Sequence, residues 1–369
     1  MKLISVLLAV SVWFFAVPAY AASVTDKKLQ IDKVAEGLGI PWGMAILPDG
    51  TMLVTQREGK LSLVNLDSGD KTDISGVPSV KAQGQGGFLD VALSPDYAES
   101  GWIYFTYSKD IDGQGATTLA RAKLDGNALA DWKDLIVTQS RTSKGQHYGS
   151  RIVFDQQGHL FFSIGDRGER DMAQDLNNHN GTVLRLNLDG SVPQDNPFVG
   201  QDNALPEIWS YGHRNPQGLH YNAETQQLWG IEHGPRGGDE INLIEAGKNY
   251  GWPEASHGKE YYAPVSVGQG KEVDGMANPI KVYIPSIAPS GLVQYQGEAF
   301  PEWQGDLFSG AMALQHLNQV KIQNNEAVDE TRYLRTMNKR IRNVIESPEG
   351  WLYVSTDDGE IYRIQPAAN

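Results

Sequence analysis

The chain has no cysteine in its 369 residues. That absence excludes disulfide staples, thiolate catalysis and Cys-ligated metals, and an oxidising compartment could not cross-link it. Long apolar runs are missing too, except for one at the N-terminus. No later segment approaches the ~20 consecutive apolar residues of a bilayer-spanning helix. Basic runs are also lacking: 31 Lys and Arg stand against 45 Asp and Glu, a formal net charge of −14. Such a surface repels nucleic acid and anionic lipid, so neither is an expected partner. No long amphipathic helical stretch separates the apolar segments, which argues against bundles and α/β layers. Although histidines occur in the loops, no pair has zinc-like spacing with a third ligand.

The N-terminal apolar run reads as a secretory signal. Lys2 gives a positive start, residues 3–17 carry no charge, and Pro18-Ala19-Tyr20-Ala21 supplies small residues for cleavage after Ala21. The expected organisation is therefore a signal peptide over residues 1–21 and one domain over 22–369. The expected location is the periplasm, without membrane insertion once the signal is removed.

One pattern then recurs six times: an apolar strand, a turn with Pro, Asp or Gly, and a second β-rich strand. The copies lie at residues 42–54, 89–105, 152–162, 218–231, 291–308 and 344–354. Each is a hairpin signature, and radially stacked repeats of four-stranded size make a propeller. The sequence predicts an all-β fold, a six-bladed β-propeller of four-stranded antiparallel blades. Residues 29–34 are expected to close the ring with the last blade. The repeats are longer than the roughly 40–45 residues of a minimal blade, so long loops must project. The longest insertions fall at about 165–205 and 233–285.

Polar residues gather just before the innermost strand of successive units. These are Gln85, His147, Arg214 and Asn215, Ser290, and Arg340 with Arg342. In a propeller such positions meet at one end of the central channel. Paired guanidinium donors suit a planar ligand carrying several carboxylates. An imidazole is half-ionised near neutral pH, so His147 is the candidate general base. Asp166 ends a strand of the same unit and could orient the ring. The Gly-rich, acidic segment at 232–242 presents backbone carbonyls beside Asp239 and Glu240, which suits Ca²⁺ as well as an ordinary surface turn.

Taken in order, these motifs resemble the soluble pyrroloquinoline-quinone (PQQ)-dependent aldose sugar dehydrogenases. The residues that carry the likeness are Gly84-Gln85-Gly86-Gly87, His147-Tyr148-Gly149, the stretch from Trp209 to Gly218, and the stretch from Glu232 to Glu240. Residues 248–253 and Arg340-Ile341-Arg342 complete it. The resemblance implies oxidation of an aldose to a lactone, with PQQ and Ca²⁺ as cofactors and electrons passed to an unidentified acceptor. By the same resemblance His147 takes the anomeric proton, and Arg214 polarises the quinone oxygen beside the Ca²⁺. Gln85, Arg214, Asn215, Tyr261, the Ala311-Met312-Ala313 stretch, Arg340, Ile341 and Arg342 would surround PQQ. Carbonyls of Gly234 and Pro235 would hold its Ca²⁺, and Glu240 with the Tyr250 carbonyl a second, structural one. Where some relatives carry a cofactor-facing Lys, this chain has Ala313, so one cationic contact is missing. Two other function classes fit the repeats: a lactonase-type hydrolase using a channel Ca²⁺, and a non-catalytic propeller that binds a ligand.

Overall fold

The computed structural model describes Asp26 and residues 28–368; the expected signal peptide lies outside the described residues. After β1 (Leu29–Ala35), the first blade is β2 (Pro41–Ile46), β3 (Thr51–Gln56), β4 (Lys60–Asn65) and β5 (Lys71–Ile74). The second is β6 (Phe88–Leu93), β7 (Trp102–Ile111), β8 (Gln114–Asp125) and β9 (Ala128–Val137). The third is β10 (Ile152–Phe154), β11 (His159–Ile164), β12 (Thr182–Asn187) and β13 (Ile208–Tyr211). The fourth is β14 (Pro216–Asn222), β15 (Gln227–Glu232), β16 (Asp239–Ile244) and β17 (Lys281–Tyr283). The fifth is β18 (Pro289–Gln294), β19 (Leu307–Ala311), β20 (His316–Gln323) and β21 (Glu326–Tyr333). The sixth takes β22 (Ile341–Glu346), β23 (Leu352–Thr356) and β24 (Glu360–Pro366) from the C-terminus and β1 as its outer strand.

The fold is thus the expected six-bladed β-propeller, with β1 paired antiparallel to β24 as the closing strand. Each innermost strand packs on the next, and β22 returns to β2. The insertion in blade four is shorter than expected. Residues 239–244 form β16, so the long connection runs over 245–280.

Both faces of a blade must be covered, and the sequence supplies both. Along β7, Tyr104 enters the core shared with blade three while Phe105 enters the core shared with blade one. Phe161 and Phe162 divide in the same way, as do Leu307 and Phe308. Period-2 alternation with apolar residues on both faces is what a stacked sheet requires. Each such side chain stabilises the fold by about 1.5–3 kcal/mol through burial alone.

Five of the six innermost strands share a defect at their first residues; β10 pairs without one. The register slips between Pro41 and Gly43, Phe88 and Val91, Pro216 and Gly218, Pro289 and Leu292, and Ile341 and Asn343. Bulges re-aim side chains, and proline is tolerated at a strand's first residue because no ladder donor is lost there. All five slips lie at the same end of the ring.

Two cavities follow the channel. Trp42, Leu89, Gly149, Gln217 and Arg342 line one of about 270 Å³; their near neighbours Met44, Asp90, Arg151, Leu219 and Asn343 line one of about 550 Å³ at the other end. Between them Arg151 donates to Asp90 at 2.7 Å and stacks over Trp42 at 4.3 Å. Burial pulls both groups toward neutrality, raising the Asp90 carboxyl and lowering the Arg151 guanidinium, while their contact opposes it.

The inter-blade cores should dominate stability. Phe308 is fully buried between blades five and six, against Tyr295 and Trp303. Phe308→Ala is expected to cost about 3–5 kcal/mol, seen as a lower urea midpoint. A loss under about 1 kcal/mol would show that this core contributes little.

Candidate active site at the channel mouth

The larger cavity is not where the reactive groups meet. The 270 Å³ cavity is lined by Gln85, Tyr148, Gly149, His233, Met312, Arg340, Arg342 and Asp357 among others, and His147 and Asn215 hydrogen-bond to Gln85 and Gly149 in that lining.

His147 sits beside it on the loop before β10, with φ +54°. A non-glycine residue there needs fixing from outside, and three contacts supply it. The His147 N–H donates to Gln85 Oε1 at 2.8 Å. Its carbonyl packs against Gly165, where a Cβ would come within 2.2 Å. Its Nδ1 meets Asp166 Oδ1 at 2.6 Å. Asp166 is held in turn, accepting from Gly168 N–H at 2.7 Å and from Trp252 Nε1 at 2.8 Å.

The charges follow from this packing. Burial pulls the His147 imidazole below its ordinary 6.5; the Asp166 bond opposes this and the nearby Arg214 adds to it. Burial works against ionised Asp166, yet the His147 bond, the Gly168 N–H and Arg214 hold its carboxyl below the usual range. A neutral ring beside a carboxylate places its proton on Nδ1. Nε2 is then the basic nitrogen, and it has no hydrogen-bond partner among the described residues.

Arg214 and Asn215 precede β14. The Arg214 amide donates to Glu232 at 2.7 Å, and its guanidinium donates to the carbonyls of His233 at 3.1 Å and Gly234 at 2.8 Å. Those carbonyls therefore already face a cation. Asn215 is fully buried; its Oδ1 accepts from Gly149 and Gln217, while its Nδ2 has no partner. Buried donors without a partner are uncommon and mark a place for a ligand.

Across the cavity, Arg340 and Arg342 share Asp357. Arg340 Nε donates to it at 2.8 Å, and Arg342 donates through Nε at 2.7 Å and a terminal nitrogen at 2.9 Å. Burial would raise the Asp357 carboxyl, but the two guanidiniums hold it below the usual range. Two cations against one carboxylate leave the wall positive. Arg340 also donates to the Met312 carbonyl at 3.2 Å, so an arginine from blade six reaches the stretch that lacks a lysine.

Beside the channel lies a second, very small cavity of about 10 Å³ between Glu232, Glu240, Gly234, Pro235 and Tyr250. Burial and the neighbouring Glu232 push the Glu240 carboxyl well above its ordinary range. Asn242, which donates to Glu232 at 3.0 Å, leaves its own Oδ1 buried and without a partner. Buried oxygens short of positive charge are a donor set for a hard cation.

Four expected residues stand apart from the cavity: Tyr261, Ala313, Ile341 and Ala311. Tyr261 is 67% exposed and lines a separate surface pocket with Arg236, His257 and Ile284. Ala313 faces solvent. The Ile341 side chain is in the core between blades five and six, and Ala311 is in the core between four and five. Others went unassigned in the sequence: Arg57, His233 and Asp357, with Trp252 behind Asp166. Arg57, Asp166, His233 and Asp357 all follow the second strand of their blade. Repeat register therefore carried a second signal, one position per blade after strand two.

The sequence profile of the Glucose / Sorbosone dehydrogenase family matches residues 38–363. The chain is 39% identical over 364 residues to aldose sugar dehydrogenase YliI of Escherichia coli, covering 96% of this chain and 98% of that one. The crystal structure of the soluble aldose sugar dehydrogenase from Escherichia coli, in its apo-form, superposes with a TM-score of 0.89 at 38% identity, covering 92% of this chain and 100% of that one. The PQQ-bound aldose sugar dehydrogenase from Streptomyces coelicolor is similar with a TM-score of 0.76 at 30% identity, covering 92% and 98%. With nearly the whole propeller matched, the chain belongs to the Glucose / Sorbosone dehydrogenase family and is an oxidoreductase.

Proposed function

We propose that this protein oxidises aldose sugars at the anomeric carbon to lactones, with His147 as general base and with PQQ and Ca²⁺ at the channel mouth. The observation that carries this reading is the His147–Asp166 pair at 2.6 Å beside a cavity walled by arginines. The residues present fit an anionic, planar cofactor. Arg340, Arg342 and Arg57 offer forked cationic donors, Gln85 and the unpartnered Asn215 Nδ2 offer amides, and Trp42 and Tyr148 offer flat apolar surface. These groups, with Arg214, would hold PQQ. The carbonyl of Gly234, already turned to a guanidinium, would with that of Pro235 serve one Ca²⁺. Glu240 and the Tyr250 carbonyl, beside Glu232, would serve another.

When bound, PQQ supplies a two-electron acceptor and Ca²⁺ a Lewis acid next to it. The chain does the rest. Nε2 of His147 accepts the proton of the anomeric hydroxyl as the C–H bond gives up its hydride. The positive charge that develops on the ring is stabilised by Asp166, which also fixes the tautomer. Trp252 and Gly168 keep that carboxylate from turning away. The reduced site then passes its electrons to an acceptor that the site does not identify. The periplasm is the proposed location, on the strength of the N-terminal signal. Among the described residues no helix is long and apolar enough to cross a membrane.

Two outcomes test this. In the holoenzyme, His147→Ala should lower sugar-dependent dye reduction by roughly 10²–10⁴-fold while the absorbance of bound PQQ persists. Retained turnover would remove His147 from the mechanism. The depressed imidazole sets the sign of the pH response: base is lost only as the pH falls below the ordinary 6.5. The acid limb of kcat/KM should therefore lie below 6.5, and an acid limb above it would contradict the burial argument. Chelation should lower both activity and Tm, with Ca²⁺ restoring them; indifference of both would rule out the metal.

A further inference from the structure

Arg167 lies at the start of the 165–181 connection, directly after Asp166, and its side chain has 0% exposure. Buried arginines are ordinarily paired with a carboxylate. This one forms no ion pair among the described residues. Asp166, its nearest acid along the chain, commits Oδ1 to His147 and Gly168 and Oδ2 to Trp252. The guanidinium instead donates to backbone carbonyls: Gln146, Gly115 at 3.0 Å and Lys144 at 3.4 Å. It stacks on the Tyr148 ring at 3.3 Å, and its Nε is buried without a partner.

The surroundings make this an expensive arrangement. Burial pulls even this guanidinium down to about 10. Arg167 itself adopts φ +56°, outside the conformations its side chain prefers. A structural clamp on the loop could use a neutral amide, whose two N–H groups serve two carbonyls without desolvating a charge. The position nonetheless holds a cation, on three carbonyls and one ring. Its two grips, on Gln146 and Lys144, are on the loop that presents His147, and Tyr148, whose ring it covers, lines the site cavity.

We propose that Arg167 is a positioning residue for the oxidation: its guanidinium fixes the 144–148 loop that carries His147, and its charge sits behind the Tyr148 ring beside that base. The inference rests on His147 being the base. Charged and titratable groups meet that imidazole from several directions. Asp166 holds it from the end of β11, Arg167 lies behind Tyr148, Arg214 approaches from ahead of β14, and His233 from the end of β15. Of the two arginines, Arg214 is engaged with the Gly234 loop. Arg214 acts on the imidazole more strongly, and Arg167 is engaged with the loop that carries it. A nearby unit charge at an effective dielectric near 20 shifts a titration by roughly one pH unit or more.

The test uses the PQQ- and Ca²⁺-loaded protein and follows kcat/KM against pH, with circular dichroism to check folding. Arg167→Met keeps the bulk and removes the charge; its acid limb should move up by about one pH unit. Arg167→Lys keeps the charge without the fork; its acid limb should stay in place while kcat drops about tenfold and KM holds. A Met variant that loses activity by one factor at every pH, with its limb unmoved, overturns the charge role. A Lys variant with unchanged kcat overturns the clamp, and it decides the matter if the Met variant does not fold. His147→Ala separates the two readings. If that variant keeps its activity, the proposed function falls; if it is inactive and the Arg167 profiles do not change, only this inference falls.

Discussion

A four-stranded blade that is apolar on both faces cannot be exposed on either, and that constraint organises the molecule. A stack of such blades ends only by closing on itself, which β1 accomplishes by pairing with β24 across almost the whole length of the chain. Closure then fixes where every blade begins. Residues more than 250 positions apart, from Gln85 to Arg342, are brought to one cavity because each lies before, or at the start of, an innermost strand at the same end of the ring. Contacts within one blade join some of these groups, such as Arg340 and Arg342 through Asp357, but only ring closure brings the blades' contributions to one place.

The electrostatics of the site run against those of the surface. A chain with a formal charge of −14 concentrates Arg57, Arg340 and Arg342 on the wall of one cavity, with Arg214 and Arg167 behind it. Asp357 holds two of these cations in a fixed pose without cancelling them. At the waist the Arg151–Asp90 pair is more nearly balanced, and it divides the channel. The charged site thus has this ion pair beneath it, against Trp42. Neighbouring oxygens at Glu232 and Glu240 carry the opposite imbalance. Arginine-rich and carboxylate-rich groups thus lie near each other on one face of the propeller, which suits the metal-assisted anionic cofactor proposed above.

Much of this was legible in the sequence, because the fold is a repeat and the repeat has a register. Apolar pairs such as Tyr104-Phe105 and Phe161-Phe162 mark sandwiched sheets, and the polar residue ahead of each first strand marks the channel mouth. What was not legible has physical causes. Tyr261 lies in the 245–280 connection, at the tip of a short turn closed by the Lys259–Ser266 bridge, outside the blade ladder, and it lines a surface pocket instead. Ile341 shares a motif with Arg340 and Arg342, but strand alternation sends its side chain into the core. Asp357 lies in what reads as an ordinary Asp-Asp-Gly turn. Only its register, shared with Arg57 and Asp166 after the second strand, distinguishes it.

The local geometry at His147 shows how such a site is kept in shape. Two loops of blade three, 144–149 and 163–168, pass so closely that Gly165 admits no side chain against the His147 carbonyl. The loops are tied together by the His147–Asp166 bond on one side and by Arg167 reaching Gln146 and Lys144 on the other. His147 and Arg167 both adopt positive φ, each opposite the other loop's anchor. Backbone strain of this kind persists only where the surroundings over-determine it. Here the determining contacts come from the next blade as well, through the Arg214 carbonyl on the Asp166 amide and through Trp252. The orientation of one imidazole therefore depends on the packing of blade three against blade four, and ring closure reaches the chemistry through that contact.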